Sequence, residues 1–301
     1  MANRGSAGTV DQVNVAGGID RMGGGCGGWE IACSMGGFHQ PADAGRSPPA
    51  ARRRPFAAGR LPPAACQGLF MFGSANPTPY DLRFSLFRIP IRVHPMFWLV
   101  GALMGWNAGD LPGTVLFIAC LFVSILTHEM GHALSAQHYG WPAEIVLMAF
   151  GGLASYIPTR RISTAQRISV IFAGPGAGFL LYALVVFLER LLINGGVINP
   201  GAPTTVGELR LMDAFFYLKR INLWWGLFNL LPVYPLDGGQ IARELLRAWR
   251  PWTGVELSLK ISLVVGVVGA VWLFREGHTF PAVLFASLAF ENFQTLQGRH
   301  F

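Results

Sequence analysis

A succession of apolar runs constrains the fold of this chain more than any other feature. Short polar connectors separate the runs, which cover residues 96–106, 114–137, 168–188, a run that ends at 231, 259–274 and 281–293. The chain is 52% hydrophobic and only 13% charged, which is wrong for a soluble domain and typical of a membrane protein. We therefore predict an all-α polytopic membrane protein with about six transmembrane helices. A β-branched stretch at 144–157 predicts a small β-hairpin at the membrane surface.

Composition divides the chain into two parts. Residues 1–75 are rich in Gly, Ala, Pro and Arg and lack sustained periodicity, which predicts a disordered tail. Met71 begins a stretch that looks like an ordinary protein start. This favours an over-extended reading frame over a functional basic arm. Residues 80–297 form the predicted transmembrane domain, in which 84–93 alternates as a short strand or an interfacial segment does.

The distribution of basic residues predicts the orientation of the domain. The formal charge is +7, but most basic residues lie in the tail and in loops between apolar runs, which argues against a nucleic-acid partner. The positive-inside rule then places both termini in the cytoplasm of a multi-pass cell-membrane protein. Lys219 and Arg220 are exceptions, and they either snorkel or face a wet cleft. The loop residues that set this orientation are Arg83, Arg88, Arg92, Arg160, Arg161, Arg167, Arg243, Arg247, Arg250 and Lys260.

The second apolar run carries an H-E-x-x-H motif formed by His128, Glu129 and His132. Histidines four residues apart share one face of a helix, so that both imidazoles can bind one zinc ion. Glu129 follows the first histidine and can take a proton from a water molecule activated by the metal. Placing three ionisable groups in an apolar helix costs free energy, which a functional role would explain. This favours the zinc-site interpretation over three core residues that are merely hydrogen-bonded.

A catalytic zinc site needs a third protein ligand, and two residues compete for the position. His138 lies six residues after His132, but a continuous helix would turn it to another face about 9 Å away. Asp237 follows Pro232 and Pro235, which break the fourth run, and precedes two glycines. It reaches the same membrane face as the histidine pair if both runs cross in the same direction. An Asp opening a helix is also typical of an N-cap.

The two motifs together resemble the site-2 protease family of intramembrane zinc metalloproteases. The resemblance covers residues 85–295 and rests on H-E-M-G-H at 128–132, N-L-L-P at 229–232 and P-L-D-G-G at 235–239. The stretch 147–152 resembles the family's substrate-facing strand. Gly174 and Pro175 resemble its Gly-Pro-x-x-Asn element, although Gly178 stands where Asn is common.

The resemblance implies a zinc metalloendopeptidase that cleaves transmembrane segments of substrate proteins within the lipid bilayer. His128, His132 and Asp237 would be the zinc ligands and Glu129 the general base. Asn229 would steady the oxyanion or the substrate backbone, unless it makes a helix-packing hydrogen bond. His94 fits a family position of unassigned role. We expect a compact member without an inserted PDZ domain or a CBS domain.

Two other function classes compete with this one. A catalytically inactive membrane scaffold or regulator of the same fold is the main alternative, and the intact motif residues argue against it. A zinc or proton transporter should show internal repeats and several polar spans, and the sequence shows no such repeat.

Overall fold

The structure is a computed structural model that describes residues 77–149, 151–159, 162–201 and 203–298. The tail at 1–75 lies outside these residues, as do Arg160 and Arg161, so what the sequence indicates for them stays a prediction. The described chain is mainly helical. Its helices are α1 (Pro95–Gly105), α2 (Leu111–His138), α3 (Thr164–Asn194), α4 (Val206–Asn229), α5 (Asp237–Trp249), α6 (Gly254–Arg275) and α7 (Thr279–Gln297).

Three of these helices are long and apolar enough to cross a membrane, namely α2, α3 and α6. Helix α1 has 11 residues and rises roughly 16 Å, about half of a bilayer core, so it does not cross alone. Helix α4 is continuous, but charged residues interrupt its apolar sequence. Lys219 of α4 forms an ion pair with Glu189 of α3, at 2.6 and 2.7 Å from its two carboxylate oxygens. The apolar helices support a membrane protein, whereas the predicted six spans stay a proposal.

The predicted hairpin is present but belongs to a larger sheet. Its strands, β3 (Ala143–Met148) and β4 (Gly151–Tyr156), are antiparallel. The stretch 84–93 falls in a second antiparallel hairpin of β1 (Leu82–Leu86) and β2 (Ile89–Val93), and β2 pairs in parallel with β3. The prediction of a single hairpin is therefore wrong in extent, because the β2–β3 pairing joins segments far apart in sequence. Strand β4 is the last strand of the described sheet, in the order β1-β2-β3-β4.

Helices α2 and α4 run in the same direction, and side chains fix their alignment at two levels. Near their first turns, Arg210 of α4 donates to both carboxylate oxygens of Asp110, the N-cap of α2, at 2.5 and 2.6 Å. Further along, the buried amide of Asn222 on α4 donates to the hydroxyl of Ser124 on α2 at 2.8 Å. Because the two helices begin at one end, the end of α4 arrives beside the later turns of α2.

Candidate metal centre

The two histidines of the motif lie on one face of α2 and are both buried. Their Nε2 atoms are 3.2 Å apart, and the ring centroids are 4.9 Å apart. Helix α2 places them here because residues at i and i+4 stack on one face. Close packing against α3 accounts for the burial, since a Cβ at Gly131 would lie 2.2 Å from the carbonyl oxygen of Ala173.

A hydrogen bond from α3 fixes the tautomer of His132. Its Nδ1 lies 2.9 Å from the carbonyl oxygen of Val170, which can only accept, so Nδ1 carries the proton and donates. In the neutral ring, Nε2 then keeps its lone pair and is free to bind a metal ion. The same helix limits the space beside this atom, because a Cβ at Gly174 would lie 2.1 Å from His132 Nε2.

Asp237 meets the histidine pair from the other side of the site. It is the first residue of α5, and the N-cap position belongs to Leu236, which makes no side-chain cap bond. The alternative of an Asp N-cap is therefore wrong. The carboxylate instead points to the histidines, with Oδ2 at 3.1 Å from His128 Nε2 and 3.5 Å from His132 Nε2. The site thus combines residues 109 positions apart in sequence.

The donor atoms of these three residues fit a zinc ion. One ligand atom from each lies within 4.8 Å of the others, and all three residues are buried. The ligand pairs of a tetrahedral zinc site, with bonds of 2.0–2.1 Å, are about 3.3 Å apart, close to the 3.1, 3.2 and 3.5 Å observed here. Two imidazoles and one carboxylate form a three-ligand set that leaves a fourth position for water or substrate, as in catalytic zinc sites.

Glu129 is buried beside the metal group but is not one of its three residues. It faces strand β4, where a Cβ at Gly152 would lie 2.3 Å from Glu129 Cγ. The backbone amide of Ala154, on the same strand, is also close to this carboxylate. Glu129, the residue next to His128 on α2, therefore packs against the last strand of the sheet.

The other sequence candidates lie outside the metal group. The amide of Asn229 donates to the carbonyl of Trp225 one turn earlier within α4 at 2.9 Å, so both roles given for it above stay predictions. His138 is exposed and contacts Tyr139, so the structure does not bring it to the histidine pair. His94 is the N-cap of α1, and its Nδ1 accepts from the backbone N–H of Met96.

Sequence reasoning missed residues that shape the site from neighbouring helices. The indole of Trp225 lies 6.5 Å from the His128 ring, and a Cβ at Gly151 would lie 3.2 Å from that indole. Among the described residues, Trp225 Nε1 and His128 Nδ1 are buried and have no hydrogen-bond partner. Trp225 lies four residues before Asn229 on the same helical face, which is the only sequence signal that points to it.

Comparison with protein-family models finds a match over the part of the chain that carries the metal group. The model of peptidase family M50 matches residues 116–195 and 194–273. These ranges include the H-E-x-x-H motif on α2 and Asp237 on α5, so the match covers all three residues of the metal group.

Several curated relatives and solved structures are similar to this chain, among them the following three. Stage IV sporulation protein FB of Bacillus subtilis is 30% identical over 217 residues, 71% of this chain and 68% of the relative. A zinc metalloprotease of Methanocaldococcus jannaschii is 31% identical over 175 residues, 56% of this chain. The chain spans only 46% of that archaeal relative. The solved site-2 protease from Methanocaldococcus jannaschii superposes with a TM-score of 0.49 and 24% identity, over 72% of this chain and 95% of that one.

Proposed function

Because the chain belongs to peptidase family M50, the site-2 protease family, we propose that it is an intramembrane zinc metalloendopeptidase that cleaves transmembrane segments of other proteins. One observation carries the proposal: a buried group of His128, His132 and Asp237 stands beside the buried carboxylate of Glu129. A structural ion pair would not need a fourth buried ionisable group next to it.

The roles of the residues follow from their positions. His128, His132 and Asp237 hold the zinc ion, which, when bound, activates a water molecule and polarises the peptide carbonyl to be cleaved. Glu129 takes a proton from the attacking water, and the oxygen forms a bond to the carbonyl carbon. Glu129 then gives that proton to the leaving nitrogen as the C–N bond breaks. The carboxylate is thereby returned to its starting state.

The substrate segment binds in extended form beside β4. A transmembrane helix buries its carbonyl groups in its own hydrogen bonds, so the segment must unwind before cleavage. Strand addition to a sheet edge would satisfy the freed groups. Strand β4 supports this because no strand neighbours its outer edge in the described sheet. The close contact of Gly152 with Glu129 brings that edge to the proton-transferring carboxylate.

The protein is embedded as a multi-pass membrane protein with both termini in the cytoplasm. The six spans are α1 together with the residues that flank it, α2, α3, α4, α6 and α7, an even number that leaves both termini on the same side. The contacts of α4 support its embedding, because Arg210 and Lys219 are paired with Asp110 and Glu189 rather than left to the lipid. The proteolytic domain comprises residues 80–297.

Substitution of Glu129 by Gln tests the proposal. Removing the proton acceptor should lower cleavage about 100-fold or more, whereas the zinc content of the purified protein should stay at the wild-type level. Glu276→Gln, at the exposed end of α6, is the matched control and should leave both quantities unchanged.

Cleavage is measured by quantitative proteomics of membranes from cells that express the wild type, Glu129→Gln or Glu276→Gln. A membrane protein that accumulates uncut with Glu129→Gln and is cut with wild type and Glu276→Gln identifies the substrate. Identical membrane proteomes for all three forms, with zinc bound, would contradict proteolysis and favour the inactive scaffold or regulator.

A further inference from the structure

We propose that Ser262 of α6 and Asn292 of α7 are positioning residues for the metal centre, because they hold the peptide groups of Tyr234 and thereby place Asp237. This inference rests on the proposed metal-binding role of Asp237. It assigns a role to two helices that contribute no residue to the metal group among the described residues. We call Ser262, Asn292 and the backbone of Tyr234 the Tyr234 clamp.

Ser262 binds the backbone N–H of Tyr234 through its hydroxyl oxygen. Its Oγ accepts from that N–H at 2.9 Å and donates to the carbonyl of Ser258, one turn earlier, at 2.8 Å. Ser262 is 1% exposed, so water does not compete for these bonds. The donation to Ser258 directs the lone pairs of the hydroxyl toward the loop, which makes it an oriented acceptor.

Asn292 binds the backbone carbonyl of the same residue through its side-chain amide. Its Nδ2 donates to the carbonyl oxygen of Tyr234 at 2.6 Å and to that of Leu288 at 2.7 Å. Both neighbours can only accept, so the NH₂ group must face them and the amide orientation is fixed. Asn292 is also 1% exposed. Both backbone polar groups of Tyr234 are thus satisfied by side chains from two different helices.

The position of Tyr234 fixes the first turn of α5. A Cβ at Gly239 would lie 2.3 Å from the backbone nitrogen of Tyr234, so the helix packs directly on the clamped peptide. Within the loop, Leu236 N–H donates to the carbonyl of Val233 at 2.8 Å, and Gln240 Nε2 donates to that of Pro235 at 3.0 Å. Movement of Tyr234 would therefore carry the start of α5 with it.

Asp237 is the residue that such a movement would displace. It opens α5, and its carboxylate lies 3.1 and 3.5 Å from the two histidine nitrogens. Ligand geometry tolerates about 0.5 Å of displacement. Asn292 lies beyond residue 273, where the match to the family model ends, so nothing in that match assigns it a role.

The test measures the zinc dissociation constant of the purified full-length protein in detergent by competition with a chromogenic chelator. Asn292→Leu keeps the number and branching of the side-chain heavy atoms and removes both donors, and Ser262→Ala removes the acceptor with little change in packing. Each should weaken zinc binding about 10- to 100-fold, the usual effect of losing a residue that orients a metal ligand. Ser287→Ala is the control, because its hydroxyl donates to the Val283 carbonyl within α7.

The same variants in an Asp237→Ala background separate positioning from general stability. If the clamp acts through Asp237, Asn292→Leu and Ser262→Ala should change the zinc affinity of the Asp237→Ala protein less than twofold. An equal loss in both backgrounds, or no loss in the first, would overturn the proposal. A wild-type protein that binds no zinc would instead contradict the proposed function itself.

Discussion

Gly174 of α3 lies directly beside His132 Nε2, the atom proposed to bind the metal. A methyl group there would lie 2.1 Å from Nε2, which is far inside van der Waals contact. Gly174→Ala should therefore displace the imidazole and weaken zinc binding by at least about tenfold. The zinc dissociation constant, measured by chelator competition, checks this result.

Gly176→Ala is the matched control for that substitution. It adds the same methyl group to the same helix, where the nearest side-chain atoms, on Phe172, are 3.8 Å away. We expect its zinc affinity to match wild type. Equal affinities for Gly174→Ala and wild type would mean that His132 does not hold the metal in this orientation.

At the scale of single residues, the sequence predicts those features of the site that depend on residues close together in the chain. The spacing of His128 and His132 on a helix places both imidazoles on one face, and the structure brings them together. Gly174 is marked only by its resemblance to a Gly-Pro element, and Asn292 carries no sequence signal. A glycine in an apolar helix is typical of close helix packing anywhere, and a single amide in an apolar helix is typical of any helix contact. Their positions depend on tertiary packing.

At the scale of elements, the Asp110–Arg210 pair holds the starts of α2 and α4 together. Asp110 also caps α2 by accepting from the backbone N–H of Gly113 at 3.1 Å. Hydrogen bonds from Arg210 and Gly113 hold the pKa of Asp110 below its usual range. Asp110→Asn keeps an oxygen for the helix cap but removes the charge and one of the two oxygens that accept from Arg210, so the Tm should fall by roughly 1–3 °C, the usual effect of losing a partly exposed ion pair in a domain of this size.

The pH dependence of that Tm difference follows from the direction of the pKa shift. A carboxylate with a lowered folded-state pKa stabilises the protein above its unfolded pKa of about 3.9, and this stabilisation disappears as the pH falls through the lowered value. The Tm difference between wild type and Asp110→Asn should thus be constant near neutral pH and shrink below about pH 4. Asp213→Asn, which loses a single 3.3 Å bond from Arg210, should show a smaller difference. Equal Tm values for Asp110→Asn and wild type would contradict the role of this pair.

Helix α4 also shows why the resemblance at Gly178 is incomplete. The amide that the family commonly carries there is absent, but Asn222 of α4 faces the same place, with Oδ1 3.7 Å from where a Cβ at Gly178 would lie. That amide connects α4 to α2 through Ser124. Pairing of this kind between two helices could not be predicted from one apolar run at a time.

At the scale of the whole molecule, the parallel course of α2 and α4 brings distant residues into one site. The sequence predicts the convergence of Asp237 with the histidine pair from the direction in which two runs cross, and the structure places the three side chains together. It does not predict the parallel β2–β3 pairing, because that contact depends on how α1 and α2 return the chain to the first hairpin.

The central claim is that one zinc ion is held by His128, His132 and Asp237. X-ray absorption spectroscopy of the purified protein, combined with metal analysis, tests it most directly. We predict one zinc per chain with two imidazole nitrogens and a carboxylate oxygen at about 2.0–2.2 Å, retained in His138→Ala and bound more weakly, without the carboxylate oxygen, in Asp237→Ala. A wild-type protein without bound zinc, or an Asp237→Ala protein with an unchanged spectrum and affinity, would contradict the account.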